Sequence, residues 1–99
     1  MDIRDIELII QQQIEDILKE QGQEIAVEKS TVLYGTGGVL DSLMLMRLVV
    51  EVEEAIYEQT GHRLTLTSAQ AFSVRRSPFA SVGDFARFVW ELFKAIEHE

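Results

Sequence analysis

Gly38-Val39-Leu40-Asp41-Ser42-Leu43 is the stretch on which the reading of this 99-residue chain turns. It joins a glycine-rich segment, Gly35-Thr36-Gly37-Gly38, to an apolar, helix-forming run. Asp41 is a favoured N-cap, because its carboxylate can accept from backbone N–H groups that a first helical turn leaves unpaired. Ser42 then falls at the first helical position. A helix N-terminus carries partial positive charge and free N–H groups, so it favours a phosphate ester there. The plainer reading is a capped helix with a tolerated first-turn serine. On these six residues alone the plainer reading is the stronger.

Moving toward the C-terminus, the pattern predicts a second helix from Asp41-Ser42 to a stop at Gly61. Leu43, Met46, Val49, Val50 and Ile56 are expected to share its inward face. Met44 and Leu45 either pack under the preceding loop, the stronger reading, or form an apolar contact with a partner. Arg47, Glu51, Glu54 and Glu58 make a polar stripe. Its like charges, with Glu53 adjacent, should oppose the helix. After His62 and Arg63, Leu64 and Leu66 alternate. Thr67 or Ser68 can cap a short third helix through Phe72, and Ser77-Pro78 breaks the chain. Ser81-Val82-Gly83-Asp84 fits a helix start signal. From there Phe85, Phe88, Val89, Leu92 and Ile96 draw the apolar stripe of a last helix, with Asp84, Arg87, Glu91 and Lys94 toward water.

Toward the N-terminus, Ile3, Ile6, Ile10, Ile14, Ile17 and Leu18 recur at helical steps. They predict a first helix over 3–21, with Asp2 as N-cap and Gly22 as the left-handed residue past its end. Residues 22–41 show no sustained period. A connection this long is usually functional or disordered. Its scattered apolar residues argue that it packs on the core, anchored by Leu33 and Tyr34.

Composition narrows the functional classes. The chain makes one domain, 1–99, with a 46% apolar fraction and a net charge of −8. Residues 1–60 hold thirteen acids and four bases, a net of −9, and residues 61–99 hold four acids and five bases, a net of +1. Such acidity repels nucleic-acid phosphates and anionic membranes, so charged partners should present basic patches. No apolar run is long enough to cross a bilayer, and the acidic start lacks the pattern of a signal peptide. The absence of cysteine excludes disulfides, thiolate nucleophiles and thiolate metal sites, which fits a reducing cytoplasm. His62 and His98 have no partners at ligand spacing and read as solvated surface residues. The glycine run lacks a P-loop lysine, and Leu40 sits where a dinucleotide fingerprint needs glycine. Phe72, Phe79, Phe85, Phe88, Trp90 and Phe93 read as core.

Asp41-Ser42-Leu43 resembles the Asp-Ser-Leu motif of acyl carrier proteins and of related aminoacyl and peptidyl carrier domains. The resemblance covers nearly the whole chain: first helix, long loop, motif-led acidic helix, short third helix and amphipathic last helix. It implies an all-α, four-helix bundle in which Ser42 carries covalent 4′-phosphopantetheine, transferred from coenzyme A by a phosphopantetheinyl transferase. The arm's thiol would hold an acyl or aminoacyl group as a thioester, and the protein itself would catalyse nothing. Asp41 and Leu43 would flank the attachment site. Met44, Arg47, Glu51 and Glu54 would face the loading and transferring enzymes. Typical fatty-acid carriers have acids where this chain has Met44 and Arg47, and the segment between Gly61 and Ser81 is longer and more basic than usual. Those departures point to a dedicated acyl carrier of a specialised lipid or polyketide-like pathway. The alternatives are an aminoacyl or peptidyl carrier, or a helical interaction module whose serine is never modified.

Overall fold

The structure is a computed structural model and describes residues 1–35, 37–66 and 79–97. The expected short helix over 67–72, the Ser77-Pro78 break, Phe72 and His98 lie outside the described residues. Within them the chain is all-helical, with α1 at Ile3–Glu20, α2 at Ser42–Thr60 and α3 at Val82–Glu97. Both α2 and α3 pack against α1.

Helix α1 forms as its spacing dictates. Ile6, Ile10, Ile14, Ile17 and Leu18 are buried in one stripe. The Asp2 carboxylate accepts from the Asp5 N–H at 3.0 Å, while the Asp5 carboxylate accepts from the Asp2 N–H at 3.1 Å. This reciprocal pair closes the first turn. At the other end Gly22 takes φ +78°, and the N–H groups of Gly22 and Gln23 bond back to Lys19 and Leu18. That is the usual glycine-terminated helix end.

The segment between α1 and α2 packs on the core through Val27, Leu33 and Leu40, all buried. It is stitched to the start of α3 by Leu33 N–H to Ala80 O, Val82 N–H to Thr31 O and Gly83 N–H to Lys29 O. It also closes on itself, with Val39 N–H donating to Val32 O at 3.1 Å and Leu40 N–H to Leu33 O at 2.9 Å. Tyr34, expected as a second anchor, is instead exposed.

Helix α2 corrects a larger expectation. Val49 and Ile56 face inward as expected, but their companions are Leu45, Leu48 and Val52. Leu43, Met46 and Val50, expected inside, are exposed. Residues 43–50 are apolar at every position but Arg47, so two stripes with helical spacing compete there. Only the one through Leu45 and Leu48 continues into Val52 and Ile56, and that longer stripe takes the core.

Past Gly61, whose φ of +77° ends α2, Leu64 and Leu66 are buried. The Glu53 carboxylate accepts from the Leu66 N–H at 2.7 Å and pins this return. His62, expected to be solvated, is half-buried with its ring edge-on to Phe93 at 5.7 Å. Ser81 caps α3 by accepting from the Asp84 N–H, and its hydroxyl donates to the Asp84 carboxylate at 3.0 Å. Phe85, Ala86, Val89 and Phe93 are buried; Phe88, Leu92 and Ile96 pack partly buried against them.

Candidate functional site

The start of α2 is built from three local decisions. Gly38 supplies the first. A Cβ added there would lie 2.8 Å from Leu33 O and from the backbone of Tyr34, so only glycine lets the two passes of the loop approach this closely. Leu40 supplies the second, because its burial fixes the last loop residue against the core. Asp41 supplies the third. Its backbone is extended, its carboxylate accepts from the Met44 N–H at 2.8 Å, and its carbonyl accepts from the Leu45 N–H at 2.9 Å.

Ser42 is therefore the first residue of α2, and it is exposed. Its own N–H and that of Leu43 have no acceptor within the helix and point back along the axis, beside the hydroxyl. The Asp41 carboxylate is turned toward Met44. Leu43 stands next to the serine with 81% of its surface in water. Ser42 thus sits at an exposed, Asp41-capped helix start. Those features are compatible with a phosphate ester on Ser42, since the residue is exposed and helix-start N–H groups can donate to anionic oxygens.

The flanking positions are divided. Met44 is half-buried and packs against the core, as Leu45 does more completely. Arg47 reaches Glu51 on its own helix, Nε to Oε1 at 3.0 Å, and also the Glu20 carboxylate at the last residue of α1. The Arg47 guanidinium holds the Glu20 carboxyl below its usual range, first by the hydrogen bond and then by charge. The same contact, with that to Glu51, raises the Arg47 pKa further above its ordinary value. The acidic stripe is accordingly less repulsive than its sequence suggests. Glu51 is paired with Arg47 and Glu53 is bonded to the Leu66 N–H, so Glu54 and Glu58 remain as the close like-charged pair.

Two features escaped the sequence. One is the Arg47–Glu20 contact, which joins residues 27 positions apart on different helices. The other is a row of exposed apolar residues on α2, whose signal was present as the second of the two competing stripes. A hollow of about 330 Å³ beside the end of α1, lined by Glu15, Lys19, Gln23 and Ile25, shares no residue with the Ser42 region. Among the described residues no three acidic, histidine or cysteine side chains gather at a metal-binding distance, and no helix is long and apolar enough to cross a membrane. Comparison with known proteins finds no matching family model, no similar curated protein and no similar solved structure.

Proposed function

We propose that the chain is an acyl carrier protein, modified at Ser42 with 4′-phosphopantetheine and serving a specialised lipid or polyketide-like pathway in the cytoplasm. The observation that carries this reading is the exposed Ser42 hydroxyl at the first position of α2, capped by Asp41 and followed by Leu43. When bound, the arm supplies a thiol that the cysteine-free chain lacks. Ser42 provides the oxygen for attachment. Asp41 holds the helix start in shape, and the free N–H groups of Ser42 and Leu43 offer donors to the phosphodiester. The four-helix arrangement belongs to this reading, with a short helix assigned to 67–72. So does the absence of catalysis by the chain itself.

The test is covalent. The purified protein, incubated with coenzyme A and a phosphopantetheinyl transferase, is expected to gain one phosphopantetheine mass, and Ser42→Ala none. Intact-mass analysis reads both. A wild-type mass that stays unchanged with several transferases would overturn the carrier reading and favour an interaction module.

A further inference from the structure

Between Leu40 and Leu45 no side chain is fully buried: Asp41, Ser42 and Leu43 are exposed and Met44 is half-buried. The first turn of α2 therefore hangs between two anchors, Leu45 on the helix side and Leu40 on the loop side. The Asp41 cap fixes Ser42 relative to α2, but not relative to the rest of the molecule. Helix ends fray unless groups outside the helix hold them. At this end the holding falls to Leu40.

Leu40 is fastened to the start of α3. Its N–H donates to Leu33 O at 2.9 Å, and the Leu33 N–H donates in turn to Ala80 O at 3.1 Å. Leu33 thus bonds in both directions from a fully buried position. Its neighbour Val32 pairs with Ser81 in a single antiparallel bridge, flanked by Val82 N–H to Thr31 O at 3.1 Å. Val39 N–H to Val32 O, also 3.1 Å, doubles the inner tie. Among the described residues the backbones of α2 and α3 each lie close to α1 and not to each other. The starts of these two helices are nevertheless joined by this short run of backbone hydrogen bonds.

We propose that residues 31–33 are a positioning segment for Ser42: they carry the fixed start of α3 across to Leu40 and hold the serine at one place on the molecule. The positioning role rests on the carrier reading, whereas the mechanical link does not. In the modification, Ser42 Oγ forms a bond to the phosphorus of coenzyme A that bears the pantetheine arm. The bond from that phosphorus to the bridging oxygen breaks, adenosine 3′,5′-bisphosphate leaves, and the hydroxyl proton passes to a base on the transferase. Such a displacement needs the attacking and leaving oxygens in line, and a misplacement of about 1 Å can cost about a hundredfold in rate. A serine on a loosened turn would still be bound by the enzyme but would spend less time aligned. Slackening the segment therefore lowers kcat rather than raising KM. A helix start held by its cap alone would not depend on α3.

Val82 offers the test, because it is the first residue of α3 and is fully buried. Val82→Pro removes the N–H that holds Thr31 O, at a helical position that accepts proline. Val82→Ala keeps the N–H and also loses packing. The first readout is amide hydrogen exchange by NMR, taken as the Leu40 rate relative to the Leu48 rate in the same protein. Relative to Val82→Ala, Val82→Pro is expected to raise that ratio about tenfold. The second readout is modification by a purified phosphopantetheinyl transferase with coenzyme A, at a temperature where both variants are folded. There Val82→Pro should lower kcat about tenfold relative to Val82→Ala, with KM within about twofold. If the wild type is modified and the exchange ratio does not move, the link is overturned while the carrier reading stands. A ratio that rises with kcat unchanged would make the segment a structural tie only and overturn its positioning role. A wild type that is never modified removes the carrier reading and the positioning role with it. Should Val82→Pro fail to fold, the wild type decides. Its Leu33, Leu40 and Val82 amides should be protected to within about threefold of one another, as one opening unit. A Leu40 amide protected less than the other two by more than about tenfold would overturn the proposal.

Discussion

Helices α1 and α2 are nearly equal in length, 18 and 19 residues, and both are rich in apolar side chains. In α1 those side chains converge on one stripe, and Leu8 is the large apolar residue that faces water. In α2 they divide between a buried stripe through Leu45, Leu48, Val49, Val52 and Ile56 and an exposed line through Leu43, Met46, Val50 and Tyr57. Folding accounts for the first stripe of each helix. It does not account for the second one on α2, which begins at the serine. The difference separates a helix whose apolar content serves the core from one whose apolar content exceeds what the core takes up.

The sharpest way to break that contrast is to truncate both stripes of α2. Ile14→Ala in α1 and Leu48→Ala in α2 remove fully buried side chains and should each cost about 2 to 5 kcal/mol in urea unfolding. Val50→Ser should stay within about 0.5 kcal/mol of wild type. A Val50→Ser loss as large as that of Leu48→Ala would mean that the outer line is core after all.

Next in size is the loop that delivers α2. Gly38→Ala forces a Cβ to within 2.8 Å of backbone atoms, which cannot swing aside as a side chain can. The expected loss is about 1 to 3 kcal/mol, measured by the same unfolding. Asp41→Ala removes the Met44 N–H acceptor and should cost about 1 kcal/mol. If the cap matters beyond stability, this variant should also slow modification at Ser42 at a temperature where it is fully folded.

The smallest effect expected is on pH dependence. The Asp2 carboxyl is held below its ordinary range chiefly by the Asp5 N–H, and Glu20 chiefly by Arg47. A carboxyl lowered by folding stabilises the fold when ionised, so this contribution is present at neutral pH. It is lost as pH falls through the carboxylate range, roughly 4.5 to 3. Thermal melts should therefore show a falling melting temperature across that window, and Asp2→Asn/Glu20→Gln should flatten the slope. A slope the variant leaves unchanged would place the acid sensitivity elsewhere. Both groups face solvent, so salt should reduce the effect.

The legible parts of this fold were those governed by local rules. Asp2, Gly22, Asp41, Gly61 and Ser81 mark helix ends where capping chemistry predicts them, because a cap involves atoms within a few residues. The single-stripe helix α1 was readable for the same reason. The inward face of α2 was not, since residues 43–50 satisfy two helical stripes and only packing against α1 decides between them. His62 differs from expectation because Phe93, distant in sequence, packs against its ring. At the candidate site, the positions of Asp41 and Ser42 were legible from the cap. The bonding of Arg47 to Glu20 was not, because it depends on how α1 and α2 lie together.

The connection between α1 and α2 has two unlike halves, and this matters for anyone wishing to label the protein. Residues 21–26 are all exposed, and past Gln23 no backbone bond to another described residue ties them until Glu28, whereas residues 31–33 and 38–40 are bonded to the start of α3 or to one another. A reporter peptide spliced between Glu24 and Ile25 should hang in solvent and leave the chain's registration intact, since lengthening a free loop costs little. The same peptide spliced next to Gly38 would part the two passes that meet there and displace Asp41. The loop thus offers one permissive insertion point about 17 residues upstream of the serine and a forbidden one immediately before it.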